Sequence, residues 1–219
     1  MRIGILGTGT LAEGLGRGWV RAGHELLIGG RSRAKADALA ERLGGTARAV
    51  TPREAVAGRD AVLLAVLWAG VEDILHDAGA ADGTLAGTPL IDPTNAVEHG
   101  VGVLLPEQGS SAAELIAAHA PGAHVVKALH LFAADQWARS AAGGRDGSAP
   151  TVAICGDDPV ALQITSDLVR DLGGVPAVLG PLKRARQVEE VAGFVIGLAF
   201  AGFDPASAVP HVPTGTTSA

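Results

Sequence analysis

The chain has 219 residues, of which 47% are hydrophobic and 18% charged, and its formal net charge is −6. That length fits one domain, or one domain with a small appendage, and can bury a core without disulfides or a structural metal. The acidic balance excludes a general nucleic-acid binder, which needs a basic face, and the lack of any tyrosine excludes chemistry that relies on a tyrosine acid.

Apolar runs such as AVLLAVLWAGV are too short to span a bilayer. The start, MRIGIL, enters a strand directly and lacks the layout of a signal peptide. Cys155 is the only cysteine, so no internal disulfide can form, and a cytoplasmic location is expected. A lone cysteine of this kind is expected to be buried and inert. The histidines at 24, 76, 99, 119, 124 and 211 read as surface or capping positions and are not spaced as metal ligands, so no metal is expected.

In chain order, residues 2–6 read as a strand and 10–22 as a helix. Residues 25–29 form a second strand and 33–43 a second helix, and 46–50 a weak third strand. DAVLLAV at 60–66 is apolar on both faces, as a buried parallel strand should be. A helix follows to about 79, and TPLIDPTN at 88–95 is a strand running into a loop. SSAAELIAAHA carries a serine cap and helical periodicity. Strand 124–129 precedes a Gly- and Ser-rich stretch at 139–150 that reads as a flexible loop. Strand 151–156, the helix DPVALQITSDLVRDLG, strand 175–180 and an apolar helix at 182–201 complete the pattern, and the proline-containing tail is expected to fray.

Alternating strands and helices predict an α/β fold, a doubly wound and mostly parallel sheet with right-handed crossovers. Gly7-Thr8-Gly9-Thr10-Leu11-Ala12 is a GxGxxA stretch lying directly after a strand and opening a helix. In that context it is the fingerprint of a Rossmann-type dinucleotide site. Gly7 permits the tight turn, Gly9 lets a pyrophosphate approach, and Ala12 lets the helix lie close to the sheet. The free N–H groups at the helix start favour phosphate. The expected division is a nucleotide-binding domain over 1–181 and a small helical C-terminal segment with its tail over 182–219.

An NAD site usually places an acid at the end of the second strand, where it binds the ribose hydroxyls. Here that place holds Gly29 and Gly30, followed by Arg31, Ser32, Arg33 and Lys35. An acid would repel a 2′-phosphate, whereas guanidinium groups suit one. NADP(H) is therefore predicted over NAD(H). The other reading, a solvated start to the second helix, sits poorly with basic charge at the positive end of a helix dipole.

Ligands bind at the carboxyl ends of the strands, where Leu67, Trp68, Thr94, Asn95, His130 and Phe132 fall. Trp68 can wall a nicotinamide or be core, and Thr94 and Asn95 can bind a ribose or carboxamide or simply make a turn. His130 is polar, can titrate near neutrality, and is the one catalytic candidate. Lys127 inside its strand reads as an edge or salt-bridge residue.

The stretches IGILGTGTLAEGLGRGWVRAGHELLIGGRSRAKA, VVKALH, VAICGDD and LGPLKRARQVEEV, in that order, resemble the F420-dependent NADP reductases. The resemblance implies hydride transfer between NADPH and a deazaflavin, coenzyme F420, in a homodimer. It implies that Thr8, Gly9, Thr10 and Leu11 hold the pyrophosphate and that Arg31, Ser32 and Lys35 hold the 2′-phosphate. His130 would lie beside the nicotinamide and the acceptor ring, and Phe132 would press on the nicotinamide. The acceptor side departs from the family pattern, with Leu131-Phe132-Ala133 after His130 in place of Thr-x-Pro. Two other readings follow from that departure and from the weakly polar strand ends: reduction of another small acceptor such as an imine or carbonyl, and a non-catalytic NADP-binding sensor.

Overall fold

The computed structural model describes residues 1–98, 100–106, 109–140 and 149–209. The expected frayed tail beyond 209, most of the 139–150 loop, His99 and His211 lie outside the described residues. The strands are β1 (Arg2–Leu6), β2 (Glu25–Gly29), β3 (Arg48–Val50), β4 (Ala61–Leu64), β5 (Pro89–Asp92), β6 (His124–Lys127), β7 (Thr151–Gly156) and β8 (Val175–Gly180). The helices are α1 (Thr10–Arg21), α2 (Arg33–Leu43), α3 (Pro52–Val56), α4 (Val71–Ala78), α5 (Ala112–His119), α6 (Ala134–Ser140), α7 (Pro159–Asp171) and α8 (Ala185–Phe200).

One sheet has the order β3-β2-β1-β4-β5-β6-β7-β8. Strands β1 to β6 run parallel, in the 3-2-1-4-5-6 order of a doubly wound nucleotide fold. Strand β7 is antiparallel to β6 and β8 is parallel to β7. The expectation of a mostly parallel Rossmann-type sheet therefore holds, and the reversal falls at one edge.

The central strands are buried on both faces, and their alternation sends successive side chains into two cores. Ile3, Ile5, Ala61 and Leu63 join Leu15 and Trp19 of α1, Leu39 of α2, Trp137 of α6 and Leu168 of α7. Leu6, Val62, Leu64 and Leu90 join Ile74 and Leu75 of α4, Ile116 of α5 and Val188 of α8 on the other face. Trp19 is fully buried, and its Nε1–H donates to the Leu168 carbonyl at 3.1 Å, linking α1 to α7. A Cβ on Gly14 of α1 would come within 2.7 Å of the Ala134 carbonyl oxygen, so this glycine is what lets α6 close on α1.

Two helices went unread in the sequence. Helix α3 has five residues, too few to show a period, although Thr51 and Glu54 make a complete capping box. Helix α6 lies in a stretch whose only core side chain of size is Trp137. The final helix begins as a 3₁₀ turn at Leu182–Arg184 and becomes α-helical at Ala185. One face of this helix is buried within the chain, through Ala185, Val188 and Ala192, while Val191, Phe194 and Phe200 are exposed.

Candidate functional site

Strand β1 ends at Leu6 and the chain turns through Gly7, whose φ is +131°. A Cβ there would strike the Ala65 carbonyl oxygen at 2.0 Å, so both conformation and space demand glycine. Gly9 precedes α1 with nothing within 4 Å of where a Cβ would stand, leaving the approach open. No side chain caps the helix at Gly9. The first turn of α1 therefore presents backbone N–H groups and the positive end of its dipole to the space above Gly9.

The Gly-Gly at the end of β2 has a steric cause. A Cβ on Gly29 would come within 2.7 Å of the Pro52 Cα, and one on Gly30 within 2.9 Å of the Thr8 methyl. Any acid at position 30 would thus press on the loop after β1. Beyond it, Ser32 caps α2 by accepting from the Lys35 N–H at 3.4 Å.

A cleft of about 670 Å³ runs along the carboxyl ends of β1, β2, β4 and β5. Gly7, Thr8, Gly9, Thr10, Leu11, Arg31, Ser32, Lys35, Leu67, Trp68 and Asn95 all line it, so the structure gathers eleven of the predicted residues in one place. Arg33 does not line the cleft; its Nε donates to Asp37 Oδ1 at 3.0 Å along its own helix. Arg31 reaches across the mouth to Asp73, with Nη1 3.6 Å from Oδ2, both side chains remaining exposed. Trp68 is half-buried on the wall and packs against the second core, while Leu67 is 85% exposed at the rim.

A smaller cavity of about 300 Å³ adjoins this cleft, and Thr10, Leu11, Pro93 and Asn95 belong to both. Its remaining lining is nearly all apolar: Phe132 and Ala133 beyond β6, and Ala192, Val195 and Ile196 from α8, together with His130. The Phe132 ring meets Trp137 edge-on, with centroids 5.5 Å apart and planes at 72°.

His130 follows Leu129, the only described residue other than glycine with a positive φ, at 62°. That turn aims the His130 backbone and ring in different directions. Its carbonyl accepts from Asn95 Nδ2 at 2.8 Å, and its Nε2 lies 3.2 Å from the Val188 carbonyl of α8. A carbonyl can only accept, so Nε2 carries the proton. Burial, reinforced by the nearby Lys127 charge, lowers the His130 pKa to about 3. The expectation that this ring titrates near neutrality is therefore corrected: it is neutral, and Nδ1 is a bare acceptor. Both His130 Nδ1 and Asn95 Oδ1 are buried without a hydrogen-bond partner. Two orphaned acceptors flank the junction of cleft and cavity.

Beneath them Lys127, Asp92 and Glu189 form an ion cluster with no exposed side-chain surface. Lys127 is thus a salt-bridge residue of an interior strand. Cys155 is buried and free, and burial pushes its thiol pKa up, as expected of an inert cysteine. His24 corrects the expectation of surface histidines: it is 7% exposed and bonded through Nε2 to Asp171 Oδ2 at 2.8 Å. Among the described residues no cluster of His, Cys, Asp or Glu can hold a metal, and no helix is long and apolar enough to cross a membrane.

Residues 2–96 match the family "NADP oxidoreductase coenzyme F420-dependent". The match covers the cradle, the basic turn and the loop up to Asn95, which are the parts whose geometry fits a phosphorylated dinucleotide. Metalloreductase STEAP3 of Rattus norvegicus is 32% identical over 190 residues, which is 87% of this chain and 36% of that protein. The chain thus spans about a third of the length of this curated relative. A proposed F420-dependent NADP-reductase from Arthrobacter sp. FB24 has a TM-score of 0.77 at 26% identity, covering 93% of this chain and 96% of that one. An imine reductase from Streptomyces aurantiacus, with a TM-score of 0.65 at 16% identity over 96% of this chain and 71% of its own, shares the fold. Over residues 2–96 the chain is thus similar to the NADP oxidoreductases, and over 93% of its length it shares the fold of the Arthrobacter protein.

The residues present fit such a cofactor on structural grounds. The helix start is uncapped, the end of β2 carries no acid, and two buried acceptors lack donors.

Proposed function

We propose that the chain is an NADPH-dependent reductase whose hydride acceptor is a deazaflavin of the coenzyme F420 type. In this reading Thr8, Gly9, Thr10 and Leu11 hold the pyrophosphate at the start of α1. Arg31, Ser32 and Lys35 hold the 2′-phosphate, with Arg31 leaving Asp73 to do so. Asn95 Oδ1 and His130 Nδ1 accept from the carboxamide N–H groups, which fixes the nicotinamide face toward the smaller cavity. When bound, NADPH supplies the hydride, and a deazaflavin takes it at a ring carbon.

The protein's own contribution is orientation and dryness. The apolar walls from Phe132, Ala133, Ala192, Val195 and Ile196 exclude water and let a flat ring stack. Alignment within about 3–3.5 Å of the reacting carbon is the main catalytic demand of such a transfer. His130 donates no proton, because its one N–H is held by Val188, so any proton the product needs comes from solvent. The residues 1–181 serve as the nucleotide-binding domain and 182–219 as the segment that walls the acceptor. The exposed apolar face of α8, with Val191, Phe194 and Phe200, supports a homodimer, and a cytoplasmic setting goes with this reading.

The observation that carries the proposal is the meeting of the cradle cleft with an apolar cavity at Asn95 and His130. The test is calorimetry with NADP⁺ and NAD⁺, followed by NADPH turnover with oxidised F420. Tighter binding of NADP⁺ and transfer to the deazaflavin are expected; equal affinities reject the cofactor assignment. The small size of the second cavity, about 300 Å³, favours one other acceptor class, a small imine or carbonyl. A panel of such compounds run beside F420 decides between them, and transfer to any of them removes the sensor reading.

A further inference from the structure

The ion cluster under the site joins three elements that come from distant parts of the chain. Lys127 Nζ, on β6, lies 3.0 Å from Asp92 Oδ2 at the end of β5 and 3.0 Å from Glu189 Oε1 on α8, and it donates to the Thr94 carbonyl at 2.5 Å. The other Asp92 oxygen accepts from the Thr94 N–H at 2.8 Å and from its hydroxyl at 2.7 Å. Glu189 accepts from the Ala112 and Ala113 N–H groups at 2.9 and 3.2 Å, closing the start of α5. Each of these three charged side chains has zero exposure.

Burying three charges is costly, and a hydrophobic filling of the same volume commonly serves stability as well or better. The cluster's place in the fold suggests what it provides. Thr94 adjoins Asn95, and Glu189 adjoins Val188. The two neighbours are the residues that hold His130, one through its carbonyl and one through its ring. A single ammonium thus ties together the Thr94–Asn95 loop on one side of the junction and α8 on the other.

We propose that Lys127 is a positioning residue that sets the gap between the Asn95 loop and α8, and through it the seat of the nicotinamide ring. The inference rests on the NADP(H) reading above. Lys127 touches neither the cleft nor the smaller cavity, so it acts through Thr94, Glu189 and their neighbours. Among the described residues, the cluster's hydrogen bonds and ion pairs involve none of the β1 and β2 loop residues that build the adenosine end of the cleft. The two halves of the cofactor should therefore respond differently when the cluster is broken.

The test compares the full chain with Lys127→Met for binding of 2′,5′-ADP, which probes the adenosine half alone, and of NADPH. Bound NADPH is also followed by its nicotinamide fluorescence. The expected result is an unchanged affinity for 2′,5′-ADP, within twofold, a loss of about tenfold for NADPH, and nicotinamide emission shifted toward that of the free cofactor. Glu189→Gln, which removes one of the two carboxylates and keeps the side chain's size, is expected to give the same split in smaller measure, and it carries the test should Lys127→Met fail to fold. Parallel loss of both ligands reduces Lys127 to a structural residue, and no change in either removes its role; both outcomes overturn the proposal. A wild-type chain that binds neither ligand overturns the cofactor reading itself, a result separable from the first two.

Discussion

Asn95 Nδ2 donates to the backbone carbonyl of His130 across 2.8 Å, joining the loop beyond β5 to the loop beyond β6. The bond uses one of the amide's two N–H groups and leaves its oxygen, like His130 Nδ1, without a partner. A buried acceptor left unpaired costs on the order of 1–3 kcal/mol, and an N–H donor entering the junction recovers it.

The neutral state of His130 gives a stability signature. Its folded pKa is about 3, below the ordinary 6.5. The unfolded chain therefore binds more protons between those values, and stability falls as pH drops through that window, by about 1.4 kcal/mol per pH unit. His130→Gln keeps a donor for the Val188 carbonyl and removes the titration. Urea unfolding from pH 7 to 4 should show a shallower loss in this variant, and identical slopes reject the assignment.

Cofactor choice should reside in Arg31 and Lys35. Replacing either by Ala is expected to weaken NADPH binding about tenfold, on the scale of an ionic hydrogen bond moderated by exposure. NADH binding should move less than twofold. Asp73→Asn frees Arg31 from an exposed pair worth about 0.2–1 kcal/mol, so NADPH should bind up to about fivefold more tightly. Titration calorimetry reads all three.

Gly7→Ala should be the most damaging single change in the cradle. It forces a side chain into a positive φ, costing about 1–3 kcal/mol, and drives a methyl into the Ala65 carbonyl. Both nucleotides should lose at least about tenfold in affinity, with a lower thermal midpoint. Unaltered binding would mean that the loop after β1 is not the phosphate site.

Trp19→Phe separates core packing from the site. The fully buried indole donates to Leu168, so Phe leaves that carbonyl unsatisfied at about 1–3 kcal/mol. A midpoint lowered by several degrees with unchanged NADPH affinity is expected.

The strands and the cradle were legible in the sequence because their signals are local. The short apolar runs of β1 and β4, and the GxGxxA turn, each occupy a few consecutive residues. Arg33 looked like part of the basic turn, but helical geometry sends it to Asp37, four residues on. The misread groups are those whose partners lie far along the chain. His24 is buried by Asp171, 147 positions away. His130 is kept neutral by burial and by Lys127, and the Lys127 cluster draws its acids from residues 92 and 189. No spacing rule reaches such pairs; they appear only once the sheet order is known.

Because β7 runs against β6, the last two strands point their carboxyl ends toward the rim opposite the nucleotide. After β8, α8 brings Ala192, Val195 and Ile196 to the cavity. In the proposed reading, part of the acceptor's wall is thereby encoded on one helical face, apart from the dinucleotide grip. Exchanging those three side chains offers a way to retarget the molecule while its appetite for reducing power stays fixed.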